Sequence, residues 1–177
     1  AAETAWLGPA VAELLQAKMQ LFGGARVLER TRVRVLVREA KIDPAAAGDN
    51  SAALAAVIPA EVLIAGSVSV DPKEERRIRV QARAFETETA KIISEATFSD
   101  TADLAGLLQI AEQLARTLAD GLRLAYTQEQ LAYAEPAKID TLKFLVAGEG
   151  HLASGRHREA IASFQKALDG NEGRYYA

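Results

Sequence analysis

The sequence predicts an α+β fold, an α/β sandwich in which helices pack on a mixed sheet, followed by a helical hairpin. Three observations carry that expectation. Ile78, Val80, Ala82 and Ala84 alternate with Arg77, Arg79, Gln81 and Arg83, the period-two pattern of a strand with one wet face. Leu104, Leu107, Leu108, Ala111, Leu114, Ala115, Leu118 and Leu122 form a stripe broad enough to cover one face of a sheet. Between Asp140 and Ala177, small and aromatic residues recur at the spacing of two closely crossing helices. The expected division is an α/β domain over 1–125, a linker or helix extension over 126–136, and the hairpin over 137–177.

In chain order, Ala5 to Gln20 reads as an amphipathic helix, with Leu7, Val11, Leu14, Leu15 and Met19 on one side and Phe22-Gly23-Gly24 as its stop. Arg26-Val27-Leu28 is a short strand candidate. Glu29 to Lys41 gives a second helix on Val33, Leu36, Val37 and Ala40, closed before Asp43-Pro44, with a strand on its β-branched Val33, Val35 and Val37 as the lesser alternative. Asp49-Asn50-Ser51 offers a cap to a short third helix that Pro59 ends. Glu61 to Val70 is nearly all apolar, which suits a strand buried on both faces. Asp71-Pro72-Lys73-Glu74 turns into the alternating strand Arg77 to Phe85. Glu86-Thr87-Glu88-Thr89 then turns into a third strand, Lys91 to Phe98, and the two form a hairpin. Asp100 or Thr101 caps the longest helix, which runs to about Arg123. Tyr126 to Ala137 is polar and joins it to the final pair.

A helix that opens the fold has no sheet to cover, so one more strand is expected upstream of Ala1. In the final pair, Gly148, Ala160 and Ala167 are the small residues that let two helices approach, Phe144 and Phe164 fill the gaps, and Ser154-Gly155 makes the turn. Arg156, Arg158, Gln165 and Lys166 are expected in solvent, with Gly170 closing the second helix. This segment resembles a tetratricopeptide (TPR) repeat, and Tyr175-Tyr176 fall where a further repeat begins. Such units stack on neighbours to bury their apolar faces, so the chain reads as a piece of a longer protein.

Composition narrows the function classes. The 177 residues are 49% hydrophobic and 25% charged with net charge −3, which gives no electrostatic ground for nucleic acid. The densest basic run, Arg26 to Arg38, interleaves arginine with valine at helical or strand spacing and reads as the solvated face of amphipathic elements. With no cysteine there is no disulfide, thiolate metal site or cysteine nucleophile in this chain. No apolar run approaches the ~20 residues of a membrane-spanning helix, and no signal peptide is visible.

Four segments in order resemble the CsgG-like family of curli-secretion proteins, related to the TolB N-terminal domain and to FlgO-type and LpoB-type lipoproteins. They are Trp6-Leu7-Gly8-Pro9 with Ala12-Glu13-Leu14-Leu15, then Val27-Leu28-Glu29-Arg30 with Val37-Arg38-Glu39, Ala60 to Val68, and Phe85 to Ile92. The resemblance runs from about Ala5 to Leu124 and implies structural roles for Gly8, Glu29, Arg30 and Gly66. Pro59 and Ala90 stand where the family commonly has Gly. The secretion channel of that family inserts hairpins whose strands need about 9–11 residues each, and every connection here is too short for one. The resemblance therefore implies the periplasmic scaffold rather than the pore.

Candidate chemistry is sparse. His151 and His157 occupy packing positions of the repeat, Glu86 and Glu88 flank a turn, and Glu29-Arg30 opens a helix whose dipole accounts for the acid. Gly8, Gly23-Gly24 and Gly66 make no phosphate-binding pattern; Gly66 marks a bulge or a close backbone approach. Ser67 and Ser69 lack a His-Asp arrangement. The expectation is a non-enzymatic cell-envelope scaffold, periplasmic or outer-membrane associated, without cofactor or metal. It would bind protein partners through the TPR array, could form a homo-oligomer, and would meet the membrane only through a segment outside this chain. The alternative is the extracytoplasmic sensor region of a larger signalling protein, such as an adenylate cyclase, a kinase or a winged-helix regulator.

Overall fold

The computed structural model describes residues 4–41, 53, 56–71, 76–132, 136 and 138–170. Among them, helices α1 (Leu7–Met19) and α2 (Arg30–Glu39) precede strands β1 (Val62–Val70), β2 (Arg77–Glu86) and β3 (Ile92–Thr101). Helices α3 (Leu104–Leu122), α4 (Gln128–Ala132), α5 (Ile139–Ala153) and α6 (His157–Asp169) follow. The α+β class holds.

The sheet has the order β1-β2-β3 and is antiparallel throughout the described residues, not mixed as expected. Consecutive strands joined by short connections must reverse direction, whereas a parallel neighbour needs a long crossover. On β2 the alternation is as the sequence reads: Ile78, Val80, Ala82 and Ala84 are buried, while Arg77, Arg79 and Arg83 are exposed. α1 and α3 cover the buried face. Leu7, Val11, Leu14 and Leu15 of α1 meet Leu107, Ile110, Leu114 and Leu118 of α3 in the main core.

Several expectations need correction. Residues 26–28 form no strand, because no neighbouring strand pairs with them among the described residues. β1 is not buried on both faces: it lies at the sheet edge, and Gly66, Ser67 and Ser69 are exposed. β3 begins and ends later than Lys91–Phe98, since Arg77 still pairs with Thr101. Neither Asp100 nor Thr101 therefore caps α3. Asp103 does, its carboxylate accepting from Gly106 N at 2.9 Å. α3 stops at Leu122 because Arg123 turns left-handed (φ 57°), so α4 is a separate helix and not an extension. The short helix expected after Asp49-Asn50-Ser51, the turn at Pro72-Lys73-Glu74, and Tyr175-Tyr176 lie outside the described residues, wholly or in large part.

Two anticipated glycine effects are present. A Cβ at Gly66 would stand 2.4 Å from Gln81 O, so the close backbone approach, not a bulge, explains that glycine. The one register shift falls between β2 and β3, at Ala84/Phe85. Ala90 adopts the left-handed φ of 56° that glycine takes without steric cost.

Candidate functional site: the helix pair and its seat

α5 and α6 cross where their side chains are smallest. A Cβ on Gly148 would lie 2.5 Å from Phe164 Cε1, so the Phe164 ring rests directly on the α5 backbone. Ala160 and Ala167, respectively four residues before and three after Phe164, are buried on the same face of α6. Phe144 is half-buried with Lys166 Nζ over its ring, 5.6 Å from the centroid. Gly155 makes the turn at φ 72°, and α6 ends at Asp169 with Gly170 as C-cap. Arg156, Arg158, Gln165 and Lys166 are exposed.

The apolar surface of α6 is wider than α5 can cover. Ile161 and Leu168, seven residues apart and so on one face, are 57% and 59% exposed. Two exposed aliphatic side chains in line on one helix have no intramolecular explanation among the described residues.

The pair is seated on the sheet domain by α5. Leu142 reaches the main core with Val146 beside it, and Lys143 Nζ stands 5.4 Å from the Trp6 ring centroid. α2 braces both parts. Arg38 Nη1 donates to Ala153 O at the end of α5 (2.6 Å), where the carbonyls of a helix C-terminus favour a cation. At its other end Arg30 pairs with Glu13 of α1, and its Nη1 also donates to Pro9 O at 3.1 Å. Burial pushes the Glu13 carboxyl above its ordinary range, with Arg30 opposing and Glu149 adding to the rise. Burial likewise lowers Arg30, against the attraction of Glu13. Desolvation is the largest influence on both partners, so removing either one would leave the other a half-buried, uncompensated charge.

Of the other residues singled out by sequence, Glu29 is the N-cap of α2 in extended conformation without a side-chain bond, and Gly8 sits in the first turn of α1. A Cβ on Gly8 would lie an ordinary 3.8 Å from Val68 Cγ2, so sterics alone do not require glycine there. His157 is exposed at the start of α6, whereas His151 Nδ1 is buried without a hydrogen-bond partner among the described residues. The structure does not bring the two together with acids: among the described residues no group of three His, Cys, Asp or Glu is placed to hold a metal ion. Glu86 accepts from Thr89 within its own turn. Among the described residues no helix is long and apolar enough to cross a membrane.

Sequence reasoning missed Lys18. It is 1% exposed, and its ammonium donates to Leu131 O, tying α1 to α4. The signal was present, because Lys18 follows Leu14 and Leu15 at helical spacing on the apolar stripe. The segment read as a polar linker is in fact docked: Leu131 is buried, Gln130 donates to Leu21 O at 2.7 Å, and the Tyr126 and Phe22 rings meet at 5.2 Å.

No family model, curated protein or solved structure matches this chain.

Proposed function

We propose that this chain is a non-enzymatic interaction module of the cell envelope. In this reading the α/β part resembles the periplasmic portion of CsgG-like lipoproteins, and α5–α6 is a TPR-type unit that recruits a protein partner. The observation that carries it is the stripe of Ile161 and Leu168, left in solvent beside the well-packed Gly148–Phe164 crossing. Helical repeats stack through such faces, and the stacked array forms a concave surface that binds partners. The exposed arginines of β2 are a weaker basis for recognition, since Arg83 is already paired with Glu95 at 2.9 Å.

A photo-crosslinking residue at Ile161 or Leu168 in the intact protein, activated in cells, tests this reading. Adducts to a defined envelope protein from both positions, and none from Arg79 on the sheet, are expected. Adducts from Arg79 alone would move recognition to the sheet. Detectable catalytic turnover by the purified protein would defeat the assignment of class.

A further inference from the structure

Beyond Leu63, which packs against Val37 and Ile58, one face of the sheet carries no helix among the described residues. Ile78, Val80, Ala82 and Ala84 of β2 are buried under α1 and α3, so Arg77, Arg79, Gln81 and Arg83 point the other way, and the three arginines are exposed. The register widens that row into a surface. On β1, Ser69 stands opposite Arg79 and Ser67 opposite Gln81. On β3, Ser99 and Thr97 flank the same two residues, and Glu95 stands opposite Arg83. All of these β1 and β3 side chains are exposed. Ile93 shares the face. Its neighbour Ser94 donates to Thr117 O of α3 at 3.3 Å, so Ile93 turns away from the helices, and it is 39% exposed.

Within the strands, Glu95 is the only acid on this face, and it shows how the face holds an anion. Its Oε1 accepts from Gln81 Nε2 at 2.7 Å and from Arg83 Nε at 2.9 Å. Two residues along β2 the same arrangement recurs without the acid. Arg79 lies between Ser69 and Ser99 and makes no ion pair with a described residue. An oxyanion placed there would meet a guanidinium flanked by two hydroxyl donors. Arg77 has Asp71 beside it, whose N–H donates to Arg77 O at 2.9 Å, so Arg79 is the centre of the free surface.

The layout selects the kind of anion. Alternate residues of a strand are about 7 Å apart and neighbouring strands about 4.8 Å, so the donors spread over a plane and not along a line. A single soluble anion would use one exposed guanidinium in water, which adds little. A planar array of anions engages the whole face at once. No aromatic side chain is exposed on these rows, so the stacking that holds nucleic-acid bases is missing. Ile93 is apolar, which suits the boundary beneath lipid headgroups and not a polar polymer.

We infer that this sheet face docks on an anionic phospholipid surface, with Arg79 and its flanking hydroxyls on headgroup phosphates and Ile93 against the acyl boundary. The net charge of −3 repels such a surface, so attachment is local to the face. Glu95 opposes it by offsetting Arg83. Membrane contact then involves the sheet itself, beyond the outside segment expected from sequence. The inference does not rest on the reading of α5–α6, and a lipid occupant leaves Arg79 without protein adducts.

The test is sedimentation of the 177-residue protein with vesicles of equal parts phosphatidylglycerol and phosphatidylcholine at low salt. Binding is expected there, with loss at high salt and on vesicles of phosphatidylcholine alone. Arg79→Gln should weaken binding about fivefold. Ile93→Ser should weaken it as well, and Glu95→Gln should strengthen it by releasing Arg83. Arg158→Gln removes an equal charge from α6 and should leave binding unchanged. All four side chains are exposed, so the variants keep the fold. Equal losses from Arg158→Gln and Arg79→Gln would reduce the effect to overall charge and overturn the face. No binding to the anionic vesicles, or equal binding to neutral ones, overturns the proposal altogether. Capture by polyphosphate as tight as by vesicles at equal phosphate concentration, and undiminished in Ile93→Ser, would assign the face to a soluble polyanion, against a membrane.

Discussion

The sheet with its two covering helices and the α5–α6 pair solve the same packing problem at different depths. Around β2, the inward apolar side chains of α1 and α3 are buried, with Leu107, Ile110, Leu114 and Leu118 fully enclosed. Where the two helices of the pair cross, the buried residues are small ones, Gly148, Ala160 and Ala167, and larger residues such as Ile161 and Leu168 remain outside. A layer of helix on sheet encloses large aliphatic residues because the sheet offers a continuous surface. Two crossed helices touch along a narrow seam and must borrow burial, here from α1 through Leu142. The first region can stabilise itself, and the second depends on what it leans against.

The sharpest way to break that contrast is Leu114→Ala. It opens a cavity in the enclosed layer, and a loss of about 2–5 kcal/mol is expected by denaturant titration, with the helix pair lost in the same transition. Survival of the sheet layer at full stability would mean that the seam, not the layer, dominates. Overpacking the seam with Ala160→Leu is expected to cost about 1–3 kcal/mol. Hydrogen exchange should quicken in α5 and α6 while β2 stays protected.

Asp103→Ala removes the cap of α3 and is expected to cost about 0.5–2 kcal/mol. The Gly106 N–H bond and the Thr101 side chain hold the Asp103 carboxyl below its ordinary value. A group lowered on folding stabilises above its unfolded pKa, about 3.9 for Asp, and loses that contribution as pH falls through the lowered value. The wild type and the variant should therefore converge in stability on acidification, and a constant difference across that range would contradict the cap. Smaller still, Ala90→Gly relieves a left-handed alanine and is expected to stabilise by about 0.5–1 kcal/mol, since the steric relief exceeds the added freedom of the unfolded chain. Smallest of all, Leu168→Glu on the exposed stripe should change stability by under about 0.5 kcal/mol. A larger loss would show that the stripe is buried in the isolated protein.

Much of this arrangement was legible in the residues. Period-two alternation placed the buried face of β2, the wide leucine stripe placed α3 over it, and Gly148, Ala160, Phe164 and Ala167 marked the seam. What stayed hidden depends on partners distant in sequence. Lys18 interrupts an apolar stripe, and the Leu131 carbonyl that meets its ammonium comes from 113 residues away. Arg30 reads as one arginine among several until α1 brings Glu13 beside it.

The sequence by itself determined which faces are apolar, where chain direction changes and which positions must be small, because those properties belong to single residues and their near neighbours. Tertiary structure alone decided that β1 would be an edge and not an interior strand, and that residues 26–28 would not become a strand. It also decided that a polar joining segment would dock through Leu131. Each of those outcomes turns on whether a second, remote backbone or side chain arrives to complete a hydrogen bond or close an apolar contact, and local periodicity carries no record of that arrival.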